Sequence, residues 1–485
     1  MSVACAGDEG ARANYVRCRG SRRSISQRRW HDALYFWHYE STGRFFTKDV
    51  RSVADSIYQK GVLLPERVLT AQCKSLLEAW RYSSQDHLLH VLPLHHIHGT
   101  VNAVLTPLFA GSTIEFMFPF NADAVWRRLA RPFMNADEDH HNIPKPVTFF
   151  TVVPTIYNRL LSTHQDLDGP TRDASQEALR PSNLRVNISG SAALPTPTKA
   201  AWAELSQGNV LLERYGMTEV GMALSCGLDF NDRVDGAVGW PLPSVEARLV
   251  DTETDEVIER HQETTADGKE REGEIQLRGP TVFTEYWRNP EATEKEFVEA
   301  TDGRAKWFKT GDVAVRRNVE GTGTSEHAWA KGPLYFIRGR RSVDIIKSGG
   351  EKVSALEIER ELLSLSVLFH RSLALMLTIR SPQISEAAVV GVASEQWGQK
   401  VAAVVVLNPK NSQSPRSGKT WGVMDIRRAL KDTLANYKIP QELKVVAELP
   451  KNAMGKGMDP VPLARMRRCS PRTVNKKSLV QEMFS

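Results

Sequence analysis

From Leu69 onward the chain alternates between two kinds of hydrophobic pattern. Segments with apolar residues three and four apart, Ala71 to Tyr82, Ala122 to Leu129 and Ile156 to Leu161, read as helices with one buried face. Between them lie short, nearly continuous apolar stretches of strand type: His90 to Leu94, Ser112 to Phe116, Val147 to Val153 and Arg185 to Ile188. Helix and strand patterns taking turns in this way predict an α/β fold with a parallel sheet covered by helices. Past Gly239 the texture changes to shorter strands and turns (Ala247 to Val250, Glu274 to Leu277, Val313 to Val315, Leu334 to Ile337), which predicts a small β-rich subdomain. Beyond Gly339 a compact α+β unit is expected, with strands Ala387 to Val392 and Val401 to Leu407 around a helix Val423 to Ala435. The boundary is placed near Arg340.

A length of 485 residues, 41% hydrophobic and 25% charged, gives room for several domain-sized units and an interdomain site. It excludes a small binding module and a disordered or fibrous chain. The longest apolar run, Leu373 to Ile379 with Val367 to Phe369 before it, is broken by His370 and Arg371 and is too short to span a bilayer. The net charge of +6 points to nucleic acid until it is located along the chain. Residues 1–30 carry +5 and Gly457 to Thr473 carry +3, so the rest of the chain is slightly acidic. No broad basic face remains, and nucleic acid is not expected as a partner. The five cysteines, Cys5, Cys18, Cys73, Cys226 and Cys469, are odd in number and form no CxxC pair. They point to a reducing, intracellular compartment, mitochondrial or cytoplasmic. The Arg- and Ser-rich opening leaves two readings open, a transit peptide and a non-native start.

Three turns of small residues follow strand-like runs: Ser189-Gly190-Ser191-Ala192-Ala193-Leu194-Pro195, Tyr215-Gly216-Met217-Thr218-Glu219 and Ser348-Gly349-Gly350. Such turns let backbone N–H groups approach a nucleotide without side-chain collision. Each is weak alone, and neither GxxxxGK(S/T) nor GxGxxG is present. Their order is more specific. Tyr215 to Glu219, then Trp307-Phe308-Lys309-Thr310-Gly311-Asp312, Gly339-Arg340, Ile346-Lys347-Ser348-Gly349-Gly350 and Pro450-Lys451-Asn452-Ala453-Met454-Gly455-Lys456 resembles the adenylate-forming ligases, specifically the acyl-CoA synthetases. The resemblance covers residues 61–485. Within the family, Glu213-Arg214-Tyr215-Gly216-Met217-Thr218-Glu219 looks most like malonyl-CoA synthetases.

The resemblance implies an atypical segment 1–60, the C-terminal portion of an adenylation domain over 61–339 and a C-terminal lid domain over 340–485. It also implies the chemistry. A carboxylate attacks the α-phosphate of ATP, giving an acyl-adenylate and pyrophosphate, and the thiol of coenzyme A then displaces AMP. Glu219 would hold Mg²⁺, Thr218 would bond the α-phosphate, and Tyr215 would stack on adenine beside Gly216 and Met217. Gly190, Ser191 and Ala192 would line the base. Asp312 and Arg340 would grip the ribose, the former as an acceptor for two hydroxyls. Lys456 would bridge acyl carboxylate and phosphate, a task suited to a compact cation on a flexible stem. Lys347, Ser348, Gly349 and Gly350 would face the coenzyme A channel, with Ser342 as the hinge of a rotating lid. Outside this context Asp312 reads as a turn cap and Lys456 as one more solvated lysine.

A short dicarboxylic acid adds a second anion that needs a buried cation, and Arg214, Arg159 and His98 are the candidates. A charge-assisted hydrogen bond there is worth about 1.5 to 3 kcal/mol. The cluster His95, His96 and His98 has the spacing of no metalloenzyme motif.

The sequence departs from the family pattern at the phosphate-wrapping loop. In its place stands Ile57-Tyr58-Gln59-Lys60-Gly61-Val62, where only Lys60-Gly61 survives, with Ser41-Thr42-Gly43-Arg44 as a displaced echo. Fewer phosphate donors would weaken ATP binding, and the missing first half of the large domain would bare a sheet edge. Residues 366–381 and 457–473 read as insertions, consistent with retained intron sequence or a faulty gene model. An alternative reading follows: a catalytically impaired ligase fragment that binds nucleotide or coenzyme A.

Overall fold

The computed structural model describes residues 2–5, 14–17, 34–36, 60–134, 144–342, 344–365, 384–408 and 421–449. Five strands run parallel in the spatial order Leu212–Met217, Val186–Gly190, Phe149–Val152, His87–His90, Thr113–Phe116. Every residue of Phe149–Val152 and Val186–Gly190 is buried, as strands covered on both faces require. Leu88 and Phe149 face one core while their neighbours Leu89 and Phe150 face the other. The first core is closed by the helix Glu66–Trp80 and the second by Ala122–Ala130, Pro154–Thr163 and Thr196–Leu205. The α/β expectation holds, with shifted limits. The strand expected at His90 to Leu94 lies earlier, because Pro93 has no N–H to give to a ladder.

The β-rich part is not a separate sheet. The hairpin Met217↔Gly221 turns the chain into Gly221–Ser225, and antiparallel strands continue the same sheet. They run Ala237–Pro241, Leu334–Arg340, Trp307–Arg317, Gly273–Arg278 and Glu246–Asp251. At Gly221 (φ 69°) an added Cβ would meet Gln72 at 2.4 Å, so glycine lets the helix Glu66–Trp80 lie directly on this hairpin. At the opposite edge, expected to be bare, Ser2–Cys5 pairs parallel with Thr113–Phe116 and antiparallel with Asn14–Arg17.

A third core is built from Ile346, Val353, Ile358, Leu362, Val389, Val401, Val405, Ile426 and Leu430. Its sheet joins the hairpin Ile384–Ser394/Gly398–Leu407 to Glu442–Val445 and, through Ser348↔Gly398, to Ile345–Ser348 and Glu351–Ser354. The helix Val423–Leu430 is shorter than expected; Thr433 Oγ1 donates to the Leu430 carbonyl and ends it. This unit rests on the large sheet through ion pairs, Lys352–Glu253 at 2.8 Å and Arg338–Glu357 at 3.6 Å, and through Arg360. The Arg360 guanidinium fills the space a Gly236 side chain would need, with Nη1 only 2.3 Å from a built Cβ. The expected insertions 366–381 and 457–473 lie outside the described residues.

Candidate functional site

Side chains converge at the carboxyl ends of the parallel strands, where open α/β sheets bind ligands. Gly190 ends its strand beside Arg214, and a Cβ there would stand 2.5 Å from the Arg214 Cζ. Ser191 follows in the left-handed region, φ 68°. Arg214 Nη2 donates to Ser191 Oγ at 3.3 Å, Ser191 Oγ lies 3.4 Å from His98 Nδ1, and His98 Nε2 lies 2.6 Å from Thr151 Oγ1. Arg214 is 4% exposed, and its Nε has no acceptor. No carboxylate of the described residues pairs with it, and burial pushes its pKa down. A buried cation in this state is unfavourable until an anion completes it.

Arg159 does not join this group. The helix Pro154–Thr163 buries Pro154, Ile156, Tyr157 and Leu160, which leaves Arg159 exposed on the opposite face. The expectation of Arg159 as a candidate for the acid's second carboxylate is corrected accordingly. Ala192 is exposed just past Ser191.

The other wall is set by strand pairing. Asp312 and Arg340 are cross-strand partners, with Arg340 Nε 3.3 Å from Asp312 Oδ1. The Tyr215 hydroxyl, from the parallel part of the sheet, donates to Asp312 Oδ2 at 2.5 Å. Gly311 (φ 73°) bends the strand so that Asp312 turns inward. Around it Thr310 Oγ1 donates to the Ile275 carbonyl and the Gly311 N–H to Glu274 Oε1. Burial raises the pKa of Asp312, while Arg340 and the Tyr215 hydrogen bond pull it back. Each Asp312 oxygen keeps a further lone pair for a ligand hydroxyl.

Thr218 and Glu219 sit in the turn between the two hairpin strands, where Gly216 lets them touch: a Cβ there would be 2.2 Å from the Gly221 carbonyl oxygen. Met217, half-buried, closes the strand. The Glu219 carbonyl accepts the Phe283 N–H at 2.7 Å, and its Oε1 accepts the Tyr286 hydroxyl at 2.9 Å. Oε2 takes no hydrogen bond from a described residue. One free carboxylate oxygen suits Mg²⁺, which takes one or two carboxylates and completes its shell with phosphate and water. Among the described residues no group of three His, Cys, Asp or Glu could hold a metal by itself, so Glu219 fits a metal carried by nucleotide phosphates. Lys60 stands nearby, its Nζ 4.5 Å from the Tyr286 ring and 3.0 Å from Glu296 Oε1. The rest of the altered phosphate loop, residues 41–59, lies outside the described residues.

In the smaller unit Lys347 is exposed and its N–H donates to Gln399 Oε1 at 2.9 Å. Ser348 is buried opposite Gly398, and the Gly349 N–H donates to the Trp397 carbonyl at 2.9 Å. Gly349 and Gly350 have φ of 59° and 85°, and the Trp397 ring lies 2.8 Å from a Cβ built at Gly349. Ser342 is exposed in the turn after Arg340; that turn is closed by Asp344, whose Oδ2 accepts the Arg340 N–H at 2.9 Å. Lys456 lies outside the described residues. Sequence reasoning passed over Thr151, Tyr286, Asp344, Trp397 and Gln399. Only Trp397-Gly398 carried a signal, a large aromatic beside glycine in a polar turn between two strands.

The AMP-binding enzyme profile matches residues 58–287, and the AMP-binding enzyme C-terminal domain profile matches residues 377–456. A CoA ligase of Gibberella moniliformis is 55% identical over 442 residues, 88% of this chain and 66% of that protein. A mitochondrial malonate–CoA ligase of Mus musculus is 37% identical over 472 residues, 95% of this chain and 66% of that protein. The chain thus spans about two thirds of the length of these relatives. Among solved structures, ATP-bound MatB from Rhodopseudomonas palustris superposes with a TM-score of 0.63 at 29% identity, covering 88% of this chain and 65% of that one.

Proposed function

Because the chain belongs to the AMP-binding, adenylate-forming ligases, we propose that it is an ATP-dependent acid-thiol ligase acting on malonate or a similar short dicarboxylic acid. The observation that carries the acid's identity is Arg214, a buried guanidinium with a serine hydroxyl beside it and no carboxylate among the described residues. A fatty acid would leave that charge unpaired; the distal carboxylate of a dicarboxylic acid completes it. Relatives named as malonate–CoA ligases support the same reading. The mitochondrial location of those relatives supports mitochondria as the compartment proposed for this chain. The impaired-fragment alternative gains nothing from relatives that are themselves ligases.

In the proposed reaction Arg214 holds the distal carboxylate, with His98 and Ser191 fixing the guanidinium. The other carboxylate attacks the α-phosphorus, and pyrophosphate leaves with the electron pair of the broken bond. Tyr215, flanked by Gly190, Ser191 and Ala192, supports adenine, while Asp312 and Arg340 hold the ribose hydroxyls. The Thr218 hydroxyl donates to the α-phosphate, and Lys456 bridges it to the acid. Glu219 would hold Mg²⁺, which neutralises charge on the phosphates. The coenzyme A sulfur then attacks the acyl carbonyl, AMP departs, and Lys347, Ser348, Gly349 and Gly350 line the approach. Acid-dependent release of pyrophosphate from ATP tests the reading. It is expected in the unaltered chain and lost in Glu219→Ala and Lys456→Ala; a folded chain releasing none with ATP, Mg²⁺ and malonate contradicts it.

A further inference from the structure

Tyr286 has no part in the scheme above, yet its placement is tightly determined. The ring is 4% exposed and packs on Phe283 at 4.8 Å between centroids. Its backbone is held twice, by strand pairing with Val62 and by its N–H donating to Thr293 Oγ1 at 3.0 Å. On one side Lys60, anchored to Glu296 at 3.0 Å, sits 4.5 Å from the ring centroid. At the far end the hydroxyl donates to Glu219 Oε1 at 2.9 Å. A buried phenol needs an acceptor, and here it is the Glu219 carboxylate, the group proposed to hold the metal. A glutamate side chain has three rotatable bonds, and one hydrogen bond from a rigid donor selects among its rotamers. Donors that orient a metal-binding carboxylate commonly matter as much to metal affinity as they do here to geometry.

We propose that Tyr286 is a positioning residue for the ligase reaction: its hydroxyl fixes the Glu219 carboxylate with Oε1 turned away and Oε2 presented to the metal–nucleotide. The segment beginning at Lys60, through strand pairing and the cation over the ring, sets where that hydroxyl stands. This inference rests on the proposed ATP-dependent reading and goes beyond it in naming what orients the metal-binding group.

The test uses Mn²⁺ in place of Mg²⁺. Free Mn²⁺ is counted by electron paramagnetic resonance in the presence of ATP for the unaltered chain, Tyr286→Phe, Glu219→Gln and the double variant, with melting followed by calorimetry. Tyr286→Phe is expected to weaken Mn²⁺ binding about 10-fold while the melting temperature stays close to that of the unaltered chain. In the Glu219→Gln background the same change is expected to have no further effect, since the group it positions is gone. Unaltered Mn²⁺ affinity in Tyr286→Phe, an undiminished effect in the Glu219→Gln background, or a Tyr286→Phe chain unfolded at the assay temperature would each overturn the proposal. A folded, unaltered chain that binds no Mn²⁺ with ATP sinks the ATP-dependent reading itself, and this inference with it.

Discussion

On the wall formed by Tyr215, Asp312 and Arg340 the charged groups find partners within the chain, whereas Arg214 is buried beside the Ser191 hydroxyl with no carboxylate partner among the described residues. The residue before it sharpens the contrast. Glu213 points to the other side of its strand and is paired there with Lys199 at 3.0 Å. The fold meets Glu213 with a counter-ion and the equally buried Arg233 with the Val210 and Leu228 carbonyls, whereas Arg214 has neither among the described residues, which supports a ligand as its proposed partner. The first wall is organised before ligand arrives and suits the neutral, hydroxyl-bearing sugar of a nucleotide. On the proposed reading the second is completed by the distal carboxylate of the acid.

The largest effect that breaks this contrast is expected from Arg214→Leu. Use of malonate should fall about 100-fold in kcat/KM while butyrate is little affected. The ligand-free protein should melt higher, because an apolar side chain replaces an unpaired buried charge. Pyrophosphate release and calorimetry check both, and equal losses for the two acids with a lower melting point would refute the assignment. Next comes Asp312→Asn, which removes the negative charge and one of the two oxygens that accept from Tyr215 and Arg340. It should raise the KM for ATP about 30-fold and leave the KM for the acid nearly unchanged, the reverse of the Arg214 result. Gly190→Ala places a methyl group 2.5 Å from the Arg214 Cζ, so the guanidinium must move. Malonate use is expected to drop about 10-fold in steady-state assays, with ATP kinetics close to unaltered.

The smallest effect concerns pH. Burial raises the pKa of Asp312 and Arg340 opposes that rise, so Arg340→Met should let it climb further. The hydroxyl-accepting, ionised form then appears only at higher pH, and the acid limb of the pH–rate profile moves up. The shift is small because the Arg340 side chain is 57% exposed and its field is screened. A downward shift would place Asp312 outside the ionised role.

Much of this was legible in the sequence because the motifs stand in an order that resembles one family. Tyr215, Asp312 and Arg340 could be named together through the resemblance to the adenylate-forming ligases, though Tyr215 and Asp312 lie far apart in the chain. Their pairing could not be read, since the Asp312↔Arg340 register is set by the bend at Gly311 and an irregularity after Val313 that no periodicity encodes. Arg159 shows a signal misread. Ile156, Tyr157 and Leu160 already define the buried face of that helix by their spacing, and Arg159 falls opposite it. Tyr286 and Thr151 were invisible for a different reason. Each acts through one hydrogen bond to a residue distant in sequence, His98 or Glu219, and nothing in the flanking pattern marks such a contact. The continuous sheet was missed because the hairpin Met217↔Gly221 turns parallel pairing into antiparallel without a break, so a change of texture read as a small β-rich subdomain.

The measurement closest to the central claim is the ratio of kcat/KM for malonate over butyrate in acid-dependent pyrophosphate release by the unaltered chain. An anion-seeking Arg214 should favour malonate by about 100-fold or more. A ratio near one, or a preference for butyrate, would mean that the buried guanidinium is not the acid's partner, and the contrast between the two walls would lose its meaning.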